Sequence, residues 1–260
     1  MNNFKQRLAD KQPLLGTFIK TPHHHNTEVL SKLGFDTLCL DAEHAPFDRG
    51  DLDRCILAAK ANQQHVVVRI SNDSHDSILN ILDLGADGVV IPHVKSAAQL
   101  DKVIKSCYFG HNGRGYAGST RMAGYTTRNI HQNIEHNHSN TTIIAQIEDL
   151  DALHELSEIC QVEGLDCLFI GRMDLTVALG ETDPGAAIVL ETIQQIIDVA
   201  QQYNVTVGMF VANLDELSAW IEKHVSLFLL GSDHSFMLTG AKALQTCFEK
   251  AKDANNNAII

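Results

Sequence analysis

The chain has 260 residues, 44% of them hydrophobic and 20% charged, with 17 Gly and 5 Pro, the profile of a globular protein able to bury one large core. Acidic residues outnumber basic ones 32 to 20, and the formal net charge of −12 argues against broad contact with nucleic acid or anionic lipid. No window approaches the roughly 18 uninterrupted apolar residues of a membrane helix, the N-terminal MNNFKQRLADKQ has no apolar signal core, and the six cysteines are scattered singly, so a cytoplasmic protein with reduced thiols is expected.

Short apolar or β-branched runs alternate with helix-length amphipathic spacers. In chain order, strands are predicted at 14–19 and 36–41, a helix at 51–62, a strand at 65–70, a helix at 74–84, a strand at 88–92 and a helix at 97–107. After a long connection come a strand at 141–147, a helix at 150–160, a strand at 166–171, a helix at 187–203, a strand at 206–211, a helix at 214–223, a strand at 227–231 and a helix at 236–252. Eight strands in βα alternation predict an α/β fold, a (β/α)8 TIM barrel with 1–260 as a single domain. A weak repeat (KLGFD at 32–36, DLGAD at 83–87, VEGLD at 162–166) leads from helix ends into strands, with Gly34, Gly85 and Gly164 as left-handed caps. The segment 108–140 reads as a long loop with five glycines and three arginines, a lid or a contact between subunits. The tail 253–260 is expected to fray.

Barrel active sites lie at the carboxyl ends of the strands, and polar residues collect there. Strand two ends in Asp41-Ala-Glu43-His44, three ionisable groups within one turn, suited to a general base and its neighbours. Arg69 closes an otherwise apolar run and requires an anionic partner, either a structural carboxylate or the oxyanion of a substrate. Gln146, Glu148 and Asp149 follow strand five, and Gly171, Arg172, Met173 and Asp174 follow strand six. Glu148 and Asp174 are hard oxygen donors without a matching Cys or His, which points to Mg²⁺, Mn²⁺ or a similar octahedral cation, although two carboxylates alone are a weak metal signature. His93 follows the strand-four proline and faces the pocket. The run His23-His24-His25 reads as exposed loop ahead of a ligand cluster, and Ser232 or Asp233, beside His234, caps the last helix. No lysine lies in strands five to eight, and only Lys20 and Lys95 sit near strand ends, so Schiff-base chemistry is disfavoured. Strands seven and eight also lack a Gly-rich phosphate loop.

The stretches around Gly34-Phe-Asp36, Asp41-Ala-Glu-His44-Ala-Pro46, Val68-Arg69, Leu82-Asp83-Leu-Gly-Ala86, Ile91-Pro92, Arg114-Gly115, Gln146-Ile-Glu148, Phe169-Ile-Gly171 and Asp174-Leu175 together resemble the HpcH/HpaI family of metal-dependent pyruvate aldolases, from Gly16 to about Leu244. The resemblance implies a reversible carbon–carbon lyase that splits a 4-hydroxy-2-oxo acid into pyruvate and an aldehyde through an enolate. It implies that Glu148 and Asp174 hold the divalent cation (Mg²⁺, Mn²⁺ or Co²⁺), His44 accepts a proton, Asp83 raises the basicity of His44, and Arg69 stabilises the enolate. Gln146, Arg69, Gly171 and the backbone at Met173 would seat the substrate, and the family's hexamers pack the last helix on a neighbouring barrel. This chain departs from the family pattern at Arg172-Met173, where Gly171 is usually followed by small residues, and at His93, where an apolar residue is usual. Arg172 suggests an acceptor with an extra carboxylate. A citrate-forming or acyl-CoA-dependent condensing enzyme, or a non-catalytic carboxylate binder, are the alternatives.

Overall fold

The computed structural model describes residues 4–257. Helix α1 (Phe4–Ala9) precedes β1 (Leu14–Ile19), α2 (His24–Leu30), β2 (Thr37–Asp41), α3 (Arg49–Ala61), β3 (Val66–Arg69), α4 (His75–Asp83), β4 (Gly88–Ile91), α5 (Ala97–Cys107), α6 (Ile130–Asn140) and β5 (Thr142–Ile147). There follow α7 (Leu150–His154), α8 (Leu156–Cys160), β6 (Cys167–Ile170), α9 (Arg172–Ala178), α10 (Ala187–Gln202), β7 (Thr206–Phe210), a 3₁₀ turn (Leu214–Glu216), α11 (Leu217–Glu222), β8 (Val225–Ser232) and α12 (Asp233–Asn257). The eight strands pair in sequence order, all parallel, and β1 closes on β8, giving the (β/α)8 barrel. No helix among the described residues is long and apolar enough to cross a membrane.

Two apolar layers form because successive strand residues point to opposite faces. Leu14, Phe18, Cys39, Val67, Val90, Ile144, Phe169, Leu227 and Leu229 belong to the cluster that fills the barrel, and Ile19, Leu38, Leu40, Val66, Val68 and Ile143 join the layer under the helices. Continuing the inward register by two residues past Phe18, Cys39, Val67, Ile144 and Phe169 gives Lys20, Asp41, Arg69, Gln146 and Gly171. The strand alternation that packs the core therefore delivers the site at the open end. At the other end α1 plugs the barrel: Phe4 and Leu8 join the inner cluster, and Thr206 Oγ1 donates to the Leu8 carbonyl at 2.8 Å.

Several elements differ from the sequence reading. The stretch 150–160 breaks into α7 and α8 at Glu155, and α1, α2 and α9 were not anticipated. The 108–140 segment is irregular only to Asn129. There a capping box with Gln132 (Gln132 N to Asn129 Oδ1 2.9 Å, Asn129 N to Gln132 Oε1 3.0 Å) starts α6. That helix buries Asn133 and Asn137 rather than an apolar stripe, so it has no readable periodicity. Gly85 and Gly164 have positive φ, 91° and 93°, as left-handed caps; Gly34 does not, and no atom lies within 4 Å of where its Cβ would be. Helix α12 carries through 253 to Asn257, and 258–260 lie outside the described residues. Five of the cysteines are buried free thiols, with Cys247 exposed.

Candidate active site

A cavity of about 510 Å³ opens at the carboxyl end of the barrel. Lys20, His44, Arg69, Gln146, Gly171, Met173 and Asp174 line it, against apolar walls from Phe18, Phe169 and Phe210. Of the residues given catalytic, substrate or metal roles, only Asp83 and Glu148 do not border this space, and Glu148 lies against Gly171 in its wall; Asp41, Glu43, Asp149 and His93, the last expected to face the pocket, are not among its lining residues.

Asp41 and Arg69 are register partners on β2 and β3, and both are buried. Arg69 donates from Nε to Asp41 Oδ1 at 2.9 Å and from Nη2 to Oδ2 at 2.8 Å, the bidentate arrangement a guanidinium favours. Burial alone would raise the Asp41 carboxyl, but the hydrogen bonds and charge of Arg69 outweigh it and hold it below its ordinary value. Arg69 correspondingly sits above its own, burial again opposing and Asp41 prevailing. The guanidinium rests on the Phe18 ring, 4.8 Å from its centroid, and Glu43 Oε2 lies 3.3 Å from Nε. Asp41 also receives the His44 N–H (3.2 Å) and pairs with Lys20 Nζ at 3.4 Å. The His44 imidazole is half exposed, with Nε2 3.7 Å from Glu43 Oε2.

Glu148 is 3% exposed. Its Oε1 accepts the His93 backbone N–H at 2.8 Å, while Gln146 Nε2 donates to Oε2. A Cβ at Gly171 would stand 2.5 Å from Glu148 Oε2, so glycine there makes room for the carboxylate. Burial raises the Glu148 carboxyl, the hydrogen bonds from His93 and Gln146 oppose this, and the negative charge of Asp174 adds to the rise. Asp174 and Met173 lie in the first turn of α9, whose N–H groups have no acceptor within the helix. Met173 lines the cavity and is 56% exposed.

The structure separates other expected partners. Asp83 ends α4, at the amino end of the following strand and thus across the barrel from His44. Its Oδ1 is buried without a hydrogen-bond partner, burial raises its carboxyl against the charges of Arg114 and Arg49, and among the described residues no contact joins it to His44. The implied pairing of Asp83 with His44 is therefore not made within one chain. Arg172 lines the cavity with its guanidinium already engaged: Nη1 pairs with Glu216 Oε2 at 2.6 Å, Nε donates to the Pro184 carbonyl at 2.9 Å, and the guanidinium lies 5.6 Å from the Trp220 ring centroid. Asp233 accepts from the backbone of Lys20 (2.8 Å) and Thr21 (3.0 Å), pinning the β1–α2 turn, while Ser232 Oγ caps Ser235 N at 3.3 Å. The histidine run is not loop, since His23 caps α2 and His24 and His25 begin it. Sequence reading missed Lys20 as a wall of the site, although its register, two residues past Phe18, was a usable signal.

The model of the family described as HpcH/HpaI aldolase/citrate lyase matches residues 14–239. The chain belongs to the HpcH/HpaI family. It is accordingly a carbon–carbon lyase of the aldolase type. This HpcH/HpaI chain is 28% identical over 241 residues to a hydroxypyruvate/pyruvate aldolase of Roseobacter denitrificans, covering 88% of this chain and 93% of the relative. It is 29% identical over 251 residues to a 5-keto-4-deoxy-D-glucarate aldolase of Shigella boydii, covering 96% and 97%. A solved HpcH/HpaI aldolase/citrate lyase family protein from Burkholderia cenocepacia superposes with a TM-score of 0.89 at 27% identity, over 95% of this chain and 99% of that one.

Proposed function

We propose that this HpcH/HpaI enzyme reversibly cleaves a 4-hydroxy-2-oxo acid to pyruvate and an aldehyde, with Glu148 and Asp174 holding a divalent cation (Mg²⁺, Mn²⁺ or Co²⁺). The observation that carries the reading is the state of Glu148. It is a buried carboxylate raised by burial that no lysine or arginine pairs among the described residues, and Gln146 Oε1 beside it is buried without a hydrogen-bond partner. A buried carboxylate whose one ion-pair contact is the His93 ring (Nδ1 to Oε1 3.4 Å), with a neutral oxygen donor and a second acid nearby, fits a hard divalent cation. When bound, the cation supplies Lewis-acid polarisation of the 2-oxo group.

The remaining chemistry belongs to side chains. Arg69, always charged and immobilised on Asp41, presents positive charge where the C2 oxygen becomes anionic. His44 takes the proton of the C4 hydroxyl. The oxygen's electron pair forms the aldehyde carbonyl as the C3–C4 bond breaks, and that bond's electrons pass to C2–C3 as the enolate. The imidazolium proton then serves C3, giving pyruvate, and reversal of these steps is aldol addition. Phe18, Phe169 and Phe210 exclude water from the intermediate. Buried reduced thiols support a cytoplasmic location. The exposed Met237, Leu238, Leu244 and Phe248 of α12 support a homo-oligomer in which that helix is covered.

Incubation with pyruvate, a divalent ion and a panel of aldehydes, followed by mass spectrometry of the products, tests the reading. Carbon–carbon adducts that vanish in a folded Glu148→Gln variant support it. Turnover only of acetyl-CoA with oxaloacetate, releasing thiol and giving no pyruvate adduct, would replace it with the condensing alternative.

A further inference from the structure

After Pro92, which follows β4, the chain places His93 in left-handed conformation, φ 52°. A non-glycine residue there carries strain that the surroundings must hold. They do so at three points: the His93 N–H donates to Glu148 Oε1 (2.8 Å), its ring Nδ1 meets Asp149 Oδ2 (2.9 Å), and its carbonyl accepts from Gln99 Nε2 (3.3 Å). A carboxylate only accepts, so Nδ1, which also lies 3.4 Å from Glu148 Oε1, carries a proton toward Asp149, and Nε2 is the nitrogen a cation would take, displacing any proton held there. Nε2 faces Glu43 Oε1 at 3.5 Å. One donor atom from each of Glu43, His93 and Glu148 lies within 4.8 Å of the others; Glu43 turns Oε1 to His93 while its Oε2 is held 3.3 Å from Arg69 Nε. Donor atoms bound about 2.1 Å from one ion stand about 3 to 3.5 Å apart. A carboxylate behind the distal nitrogen of a histidine is the usual orienting partner of a metal-binding imidazole.

We propose that His93 contributes a nitrogen ligand to the divalent-cation centre anchored by Glu148, with Glu43 as a further oxygen donor and Asp149 as the residue that orients the ring. The inference rests on the proposed aldolase reading and deepens it. An imidazole nitrogen among carboxylates favours Co²⁺, Ni²⁺ or Zn²⁺ over Mg²⁺, which prefers oxygen. The centre is thereby tuned by one residue, drawn from the end of β4, that the two-carboxylate set Glu148 and Asp174 does not include. The competing account makes His93 a fixed counter-cation for Glu43, Glu148 and Asp149, and it predicts the opposite sign: removing His93 would then tighten every dication, Mg²⁺ included.

The test is calorimetric titration with Co²⁺ and Mg²⁺, with pulsed EPR of bound Mn²⁺ to detect coupling to a directly ligated imidazole nitrogen. Both are run in a His24→Gln, His25→Gln background, because those exposed rings form a second candidate metal group with His23. His93→Ala and His93→Asn are compared, asparagine tolerating the left-handed backbone; the nitrogen coupling is read from the protein with His93 intact and needs neither variant to fold. Expected are nitrogen coupling that disappears in both variants, Co²⁺ affinity lowered at least about tenfold, and a smaller change for Mg²⁺. Cation binding that Glu148→Gln abolishes but that shows no nitrogen coupling, or Mg²⁺ binding tightened by His93→Ala, overturns the inference and leaves the aldolase reading standing. Binding of no dication at all overturns both.

Discussion

Arg69 grips Asp41 with two parallel hydrogen bonds, 2.9 and 2.8 Å, between neighbouring strands whose ends form the rim of the cavity. The pair fixes a permanent positive charge with a defined orientation, which a lone arginine on a mobile loop does not provide. Asp41→Asn removes the compensating charge while leaving Arg69 buried, and breaking a buried pair in this way costs about 3–5 kcal/mol. Urea denaturation of the variant is expected to show a loss of that order, together with reduced kcat.

Gly171→Ala adds a methyl group 2.5 Å from Glu148 Oε2 and 2.7 Å from its Cβ. β6 and α9 hold the glycine backbone in place, so the carboxylate must move. Divalent-ion affinity, measured by calorimetry, is expected to fall by about tenfold or more while the far-ultraviolet circular dichroism is retained.

Stability is predicted to fall between pH 6.5 and 4 through His65. Its ring stacks on Phe4 in the α1 plug, with centroids 4.0 Å apart, and its Nε2 is buried without a partner. Burial lowers its pKa to about 4, against weaker opposition from Asp87. The unfolded chain, whose histidine titrates near about 6.5, then binds more protons than the folded one in that window. Stability contributed by the neutral ring is complete above pH 6.5 and is lost as pH falls toward 4, by at most about 3 kcal/mol. The melting temperature of the wild type should fall relative to that of His65→Phe as pH drops through that range, whatever constant offset the lost Thr37 hydrogen bond (2.9 Å) leaves.

Arg172→Ala is predicted to leave the ratio of kcat/KM for acidic and neutral aldehydes unchanged, because the guanidinium is committed to Glu216 and Pro184. Its effect should appear instead as a lower melting temperature. A selective loss toward acidic aldehydes would show that Arg172 turns from Glu216 to the substrate.

The contrast between Arg69 and Arg172 shows what the sequence carries. Arg69 ends a four-residue strand, VVVR, so its inward direction follows from strand alternation, as do those of Asp41, Gln146 and Gly171. Arg172 opens a helix, and its partner Glu216 lies 44 residues away, a pairing set by how two loops fold over the barrel mouth and by no local pattern. Helix α6 was hidden for a related reason: its buried face is Asn133 and Asn137, and Asn137 is satisfied by the Phe109 N–H at 3.1 Å and the Cys107 carbonyl at 3.2 Å, long-range contacts without hydrophobic periodicity. The separation of Asp83 from His44 likewise depends on which end of the barrel a helix terminus reaches.

The central claim, enolate chemistry on pyruvate supported by Glu148, is tested most directly by proton NMR of pyruvate in D₂O with the enzyme and a divalent ion. The account predicts exchange of the methyl protons that requires the ion, is abolished by EDTA and by Glu148→Gln, and is strongly slowed by His44→Ala. Pyruvate whose methyl signal persists with every divalent ion, in a folded enzyme that binds the ion, would contradict it.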